Sequence, residues 1–307
     1  MTSADDIPLP HGLPPLREDE LLVIVGETAS GKTRLALELA RAIGGEIVGA
    51  DSVQVYRGFD IGSGKPTAEE LGSIAHHLLD VAEADAPFDA ARFVTLADQA
   101  IAEARARGKV PIVCGGTYLW VKALLFGLAE APAAPKEVRD ALQAEIERQG
   151  APMLHARLAE IDPKTAQRLH PNDALRIVRA LEVHAVTGRP LSEIHREHGF
   201  SRARHVGRLV AIAHERSALE ARIAERAHAM LGRGFVEEVR GLLARGLRGS
   251  RPMGAVGYTQ VRAFLEENLA PEALEPEIVR ATRIFARRQR TWLKQAPVTW
   301  IPADRLA

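Results

Sequence analysis

Gly26, Gly31, Lys32 and Thr33 occupy the fixed positions of the pattern G-x-x-x-x-G-K-[ST] within the run LLVIVGETASGKT. Glycines at this spacing let successive backbone N–H groups close around phosphate oxygens, and the start of a following helix adds its positive dipole end. Lys32 would hold a terminal phosphate, and Thr33 would offer its hydroxyl to Mg²⁺. The whole loop, Gly26-Glu27-Thr28-Ala29-Ser30-Gly31-Lys32-Thr33, is therefore a candidate site for a di- or triphosphate. A carboxylate follows at Asp51, at the end of the next apolar run. By spacing alone it serves equally as a metal ligand or as a general base. The loop names the anion and leaves open which bond breaks.

The elements that must position these groups are readable. An apolar, β-rich run at 21–25 precedes the loop, and an amphipathic helix over 34–43 follows it, stopping at Gly44-Gly45. A second strand covers 46–50, a polar segment spans 51–66, a helix covers 90–107, and a strand at 110–114 ends in Gly115-Gly116-Thr117. Such alternation predicts an α/β fold, a parallel sheet with flanking helices. Ligands of such sheets bind beyond the carboxyl ends of the strands, so Gly26, Asp51 and Thr117 should converge. Residues 123–200 read as helical, punctuated by Pro132, Pro135, Pro152, Pro163 and Pro171, and a strand over 205–212 should rejoin the sheet before a helical run to 294. The expected division is a loose Pro-rich tail at 1–20, a catalytic core of 21–122 and 201–307, and a helical insertion at 123–200.

Composition sets bounds. The 307 residues contain 46% hydrophobic and 26% charged residues, as in an ordinary globular chain. The single cysteine, Cys114, excludes a disulfide framework and fits a reducing compartment, so a cytoplasmic protein is expected. No apolar run is long enough for a membrane span, and no membrane partner is expected. Net charge is zero, so any nucleic-acid contact must use a local patch. One candidate is RATRIFARRQRTWLK, 280–294, with six basic residues and no acid. Arg280, Arg283, Arg287, Arg290 and Lys294 follow one helical face, which favours an anionic partner over a merely solvated stripe. His76-His77 is a poor metal pair, because neighbours on a strand point to opposite faces. Arg176 and Arg179 lie one helical turn apart, with Glu182 three residues further on to neutralise the second, and their role is open.

These residues together resemble the tRNA dimethylallyltransferases, over about residues 21–294. The similarity rests on GETASGKT, on Asp51-Ser-Val-Gln-Val-Tyr-Arg57 with Asp60-Ile-Gly, on Lys65-Pro66, His76-His77-Leu-Leu-Asp80 and Gly115-Gly116-Thr117. It continues through Asp162-Pro163, His170-Pro-Asn-Asp173, Arg176, Arg179-Ala-Leu-Glu182, Gly257-Tyr258 and Arg287-Arg-Gln-Arg-Thr-Trp-Leu-Lys294. The resemblance implies a P-loop NTPase-like fold with an all-helical insertion. It implies transfer of a dimethylallyl group from dimethylallyl diphosphate to the N6 amine of the adenine 3′-adjacent to the anticodon, in tRNAs that read codons beginning with U. The loop would then cradle the leaving diphosphate with Mg²⁺ on Thr33, helped by Arg222 and Arg226. Asp51 becomes the base, with Thr117 and Arg139 at the junction of the two substrates. The tRNA anticodon stem-loop would lie along Asp51, Ser52, Val53 and Gln54, along Leu175, Arg176, Ile177, Val178 and Arg179, and along Gly254, Ala255, Val256, Gly257, Tyr258 and Thr259. Its last contacts would be Arg287, Arg288, Gln289, Arg290, Thr291, Trp292, Leu293 and Lys294. A monomer is expected.

The chain departs from the family pattern in three places. Glu27 stands where proline is usual, and a carboxylate there repels a diphosphate unless it turns to solvent. Tyr118-Leu119-Trp120 replaces a lighter Gly-Leu-Tyr, and Gly254-Ala255-Val256 lacks the usual basic residues. The rival readings are a prenyltransferase of free adenine nucleotides, which needs no extended cationic surface, a small-molecule P-loop kinase, and a tRNA-binding protein without catalysis.

Overall fold

The computed structural model describes residues 6–129, 131–132 and 134–306, which divide into two compact units, 1–125 with 204–307 and 126–203. In the first unit β1 (Glu20–Val25), α1 (Lys32–Ile43), β2 (Gly45–Gly49), α2 (Ala68–Leu71), β3 (His76–His77), α3 (Ala90–Ala106), β4 (Val110–Gly115) and α4 (Tyr118–Phe126) follow one another. The second unit holds α5 (Lys136–Gln149), α6 (Ala151–Ile161), α7 (Pro163–Arg168), α8 (Ala174–Thr187) and α9 (Leu191–His198). The chain then returns to the first unit through β5 (Val206–Ala213), α10 (Arg216–Gly232), α11 (Phe235–Ala244), α12 (Tyr258–Leu265), α13 (Pro271–Leu293) and β6 (Val298–Pro302).

The sheet has six strands in the order β3-β2-β4-β1-β5-β6, all parallel. This is the α/β architecture that the alternating pattern predicts. β1, β2 and β4 are buried almost throughout, as parallel strands covered on both faces must be. Leu22, Ile24, Ile47, Ile112 and Val210 of the sheet pack against Leu35, Leu37 and Leu39 of α1. Gly44 ends α1 in a left-handed conformation, φ 66, and its N–H bonds the carbonyl of Ala40, so the next residue is free to start β2.

Two features differ from the sequence reading. β6 is absent from the sequence reading, although Val298-Thr-Trp-Ile301 is β-rich, because so short a run has no alternation to mark it as part of the sheet. The segment expected to be a loose tail is packed from residue 6 onward. Ile7 and Leu16 exchange backbone hydrogen bonds at 2.8 Å, and Leu13 and Leu16 join the core beside the sheet. Their irregular spacing has no period to reveal it. Residues 1–5 lie outside the described residues.

In the second unit Leu142, Leu154, Leu158, Ile177, Leu181 and Val183 form a separate apolar core. Asp162 starts α7, accepting from the Thr165 N–H at 3.0 Å and from the Ser192 N–H at 2.8 Å, which ties α7 to α9. Burial raises the Asp162 pKa, but these bonds outweigh it and leave the carboxylate below its ordinary range.

His77, Glu46 and Arg107 settle the His-His question. Glu46 receives Arg107 at 2.7 and 3.2 Å and His77 Nε2 at 2.7 Å, and the Arg107 bonds are the main reason its pKa falls to about 2. His76 is pushed down to about 4 by burial. The pair is structural. Because Glu46 has a depressed pKa, its contribution is complete above the unfolded value of 4.5 and is lost as pH falls toward 2. Glu46→Gln should lower stability by about 1–3 kcal/mol at neutral pH and flatten the acid limb of a stability–pH curve.

Candidate active site

β1 delivers the chain to Gly26, and the loop closes at Gly31, whose φ of 89 suits glycine, before α1 begins. The N–H groups of Ala29, Gly31, Lys32 and Thr33 have no hydrogen-bond acceptor among the described residues. A helix start leaves such donors open to an anion. The Ser30 hydroxyl is buried without a partner, a group that a phosphate oxygen in the loop would satisfy. Lys32 Nζ touches the Glu27 carbonyl at 3.3 Å, and burial pushes its ammonium pKa down, with Cys114 and Asp51 pulling the other way. An ammonium held away from water gains from an incoming anion.

Asp51 and Thr117 are brought together by a glycine. A Cβ on Gly115 would lie 2.0 Å from the Ala50 carbonyl oxygen, so only glycine lets the ends of β2 and β4 approach this closely. Ser52 N–H then donates to Thr117 Oγ1 at 3.0 Å, and Thr117 N–H to Ala50 O at 3.2 Å. Asp51 Oδ1 accepts the N–H groups of Val53 at 2.9 Å and Gln54 at 3.3 Å, which fixes the carboxylate and leaves Oδ2 uncommitted among the described residues. Gln54 is itself held by Ser63 O and Gly64 O, both at 3.2 Å.

Helix α10 supplies two cations. Arg222 Nε donates to Ala29 O at 2.8 Å, and Arg226 approaches Ser63 O at 3.4 Å beside Gly64. Burial lowers the Arg226 pKa, while Asp51 pulls it back up, so the two share one field. Lys32 and Arg226 thus share the field of Asp51, with Arg222 at the loop backbone and Glu27 paired to Arg290, an excess of positive charge that suits a diphosphate. Cys114 is a core residue whose thiol burial pushes up to about 12.

The structure corrects several expectations. Glu27 does not turn to solvent: it is 1% exposed and pairs with Arg290 Nε at 2.7 Å. Its carboxylate cannot contact a diphosphate favourably, and its part in the loop is its backbone. The Thr28 N–H is also spent, donating to Gln289 Oε1 at 2.8 Å, while Gln289 Nε2 donates to Gly116 O at 3.0 Å. Gln289 and Arg290 thus tie α13 to the loop and cannot be free tRNA contacts. The basic stripe loses further members to acids outside its own segment: Arg280 binds Glu277, and Arg283 lies 3.9 Å from Glu220. Arg287, Arg288 and Lys294 have no ion-pair partner among the described residues and remain exposed, as do Thr291 and Trp292.

Four other candidates are core. Ile177 and Val178 line the interior of the helical unit, Leu293 is buried on α13, and Tyr258 is fully buried between Phe59 and Phe235. The Tyr258 hydroxyl donates to Glu238 at 2.7 Å. Leu175, by contrast, is 83% exposed. Arg176 binds Asp173, and Arg179 donates to Ala131 O and Pro132 O. Arg139, in the helical unit, is clamped to the buried Glu182 at 2.6 and 3.3 Å, so Glu182 neutralises Arg139 first and Arg179, at 3.7 Å, second. Gly257 is buried as well, whereas Gly254 is exposed and Ala255, Val256 and Thr259 are partly so, which keeps those four accessible. Tyr118 packs against Trp292 with centroids 6.3 Å apart, Leu119 is exposed, and Trp120 is buried on Phe93.

Sequence reasoning missed two supports. His214 Nε2 contacts Ser30 O at 2.7 Å, and Glu238 accepts the N–H groups of Asp60, Ile61 and Gly62 at 2.6–3.2 Å. Both act across more than 170 residues, a distance at which no local pattern signals a contact. Among the described residues no group of three His, Cys, Asp or Glu is placed to hold a metal ion. Mg²⁺ needs no such cage, since it keeps waters and phosphate oxygens as ligands. The uncommitted Thr33 hydroxyl fits that demand. No helix among the described residues is long and apolar enough to cross a membrane.

Comparison with known proteins points the same way. A family model described as IPP transferase matches residues 54–296. A tRNA dimethylallyltransferase of Sorangium cellulosum is 53% identical over 92% of this chain and 90% of its own length. One from Geobacter sulfurreducens is 45% identical over 92% of this chain and 91% of its own. The crystal structure of a full-length tRNA isopentenylpyrophosphate transferase from Bacillus halodurans superposes with a TM-score of 0.69 at 35% identity, covering 93% of this chain and 90% of that one. A eukaryotic dimethylallyltransferase acting on tRNA gives 0.80 at 25% identity, over 93% of this chain and 74% of that one. With an anion-receptive loop, a fixed carboxylate and these matches over nearly its whole length, the chain belongs to the IPP transferase family.

Proposed function

We propose that this chain transfers the dimethylallyl group of dimethylallyl diphosphate to the N6 amine of the adenine 3′-adjacent to the anticodon, in tRNAs reading codons that begin with U, releasing diphosphate. The observation that carries this reading is the immobilised carboxylate of Asp51 in the field of Lys32 and Arg226, at the ends of β1, β2 and β4. In the reaction the allylic C–O bond breaks with its electron pair going to the diphosphate. The N6–C bond forms, and the amine proton passes to Asp51 Oδ2.

The residues divide the work by charge. The open N–H groups of Ala29 and Gly31–Thr33, the Ser30 hydroxyl, Lys32, Arg222 and Arg226 bind the diphosphate and stabilise the charge that grows on it. Thr33 would hold Mg²⁺, which when bound adds electrostatic stabilisation of the leaving diphosphate. Thr117 orients the chain around Asp51 through Ser52. Arg139, in the helical unit, is committed to Glu182 and is given no part in the transfer step. Such enzymes must extrude the target base from its stack. In the first unit the surface for the anticodon stem-loop would comprise residues 51–54, 254–256, Thr259, Arg287, Arg288, Trp292 and Lys294, and in the helical unit, taken by itself, exposed Leu175 with Arg176 and Arg179. A monomer in the cytoplasm is part of the proposal, the compartment resting on the single buried thiol, Cys114.

An acceptor comparison tests this reading. Turnover should be far greater on an unmodified anticodon stem-loop than on AMP, and preference for AMP would replace it with free-nucleotide prenylation. Replacing Arg287 and Arg288 together by Gln should flatten the log–log salt dependence of tRNA binding by about two units. An unchanged slope would put the tRNA elsewhere.

A further inference from the structure

We propose that Glu27 and Arg290 form a positioning device for the phosphate loop, in which the end of α13 holds the loop open for a diphosphate at a cost in folding stability. This rests on the reading of that loop as the diphosphate site. The pair spans 2.7 Å, Glu27 is almost wholly buried, and its Oε2 has no hydrogen-bond partner. Arg290 also donates to His214 O at 3.2 Å, and His214 reaches Ser30 O at 2.7 Å. Gln289, one residue earlier, occupies the Thr28 N–H at 2.8 Å and reaches Gly116 O. Two consecutive residues of α13 thus fix the loop at Glu27, Thr28 and, through His214, at Ser30. The N–H groups left free are those of Ala29 and Gly31–Thr33, the ones that face an anion.

A pair kept for stability would look different. A buried ion pair with an orphaned carboxylate oxygen recovers little of its desolvation cost. Burial raises the Glu27 pKa even though Arg290 from α13, His214 after β5 and Lys32 from α1 all draw it down. A raised carboxyl pKa means that ionised Glu27 opposes folding: the penalty is absent at acid pH and complete once pH exceeds the raised value. Removing the charge should therefore relieve the fold while loosening the loop. The repulsion expected between Glu27 and a diphosphate is absorbed by Arg290, which explains how a carboxylate is tolerated at this position.

The test uses inorganic pyrophosphate with Mg²⁺ as the probe, read by calorimetry, with thermal unfolding recorded in parallel. Glu27→Gln should weaken pyrophosphate binding about 10-fold, the size expected when a supporting contact of a preorganised site is lost, while Tm holds or rises. Arg290→Gln should weaken it similarly, and the double variant should be no worse than either single one, because both remove one contact. Native-like binding in Glu27→Gln, additive losses in the double variant, or a Tm of Glu27→Gln that falls in step with its affinity would each overturn the proposal, whereas Arg290→Gln, which leaves buried Glu27 unpaired, is read by binding alone. Prenyl transfer is assayed separately, so a chain that binds pyrophosphate yet transfers nothing sinks the reaction while the variants still decide the pair. A native chain that fails to bind pyrophosphate overturns both.

Discussion

Asp51→Asn should still bind tRNA and lose roughly 10²–10⁴-fold in turnover, the range for removing a positioned general base. The isosteric amide keeps the Oδ1 acceptor for the Val53 and Gln54 N–H groups, so the turn that carries residue 51 should not move. What it removes is the basic oxygen for the N6 proton. The loss should appear in kcat in single-turnover experiments, with the tRNA Kd and the Km for dimethylallyl diphosphate nearly unchanged. Near-native turnover would remove Asp51 from the base role. A matched loss of tRNA affinity would assign it to binding instead.

Lys32→Met should lose about 10²–10³-fold in turnover, as expected when a preorganised charge on a leaving group is removed. The substitution keeps an unbranched stem of similar volume and deletes only the ammonium. Its effect on stability should have the opposite sign. Burial depresses the Lys32 pKa, so the charged form opposes folding at every pH below that depressed value, and the penalty fades as pH rises through it toward 10.5. At neutral pH Lys32→Met should therefore be at least as stable as the native chain, with the difference closing in alkali. Added pyrophosphate should raise the Tm of the native chain and do so less for the variant. A variant that unfolds early, or that is stabilised by pyrophosphate as much as the native chain, would contradict this view of Lys32.

Much of the site was legible because it is written locally. The loop from Gly26 to Thr33, the strand before it and the helix after it lie within one short stretch, and the ends of β2 and β4 carry Asp51 and Thr117 where the rule for parallel sheets expects them. The partners of those residues were not legible. Glu27 reads as an intrusion beside a phosphate until Arg290, on the last helix, is placed 2.7 Å away. The stripe on α13 reads as uncompensated because its acids, Glu277, Glu220 and Glu27, come from outside the basic segment. Gly257-Tyr258 reads as a contact motif, yet Tyr258 is locked among Phe59, Phe235 and Glu238, so the ring serves the fold and only the turn is accessible. β6 and the packed segment from Ile7 to Leu16 have no period, and only their pairing partners define them. Local spacing thus reveals the groups that meet a ligand, whereas tertiary pairing decides which charges remain free to do so.

The most direct measurement is nucleoside analysis of unmodified tRNA after incubation with the chain, Mg²⁺ and dimethylallyl diphosphate labelled in the allyl group. The account predicts label in N6-(dimethylallyl)adenosine at the position 3′ to the anticodon, with one diphosphate released per nucleoside formed. Tightly bound tRNA carrying no label, with no diphosphate released, would contradict it.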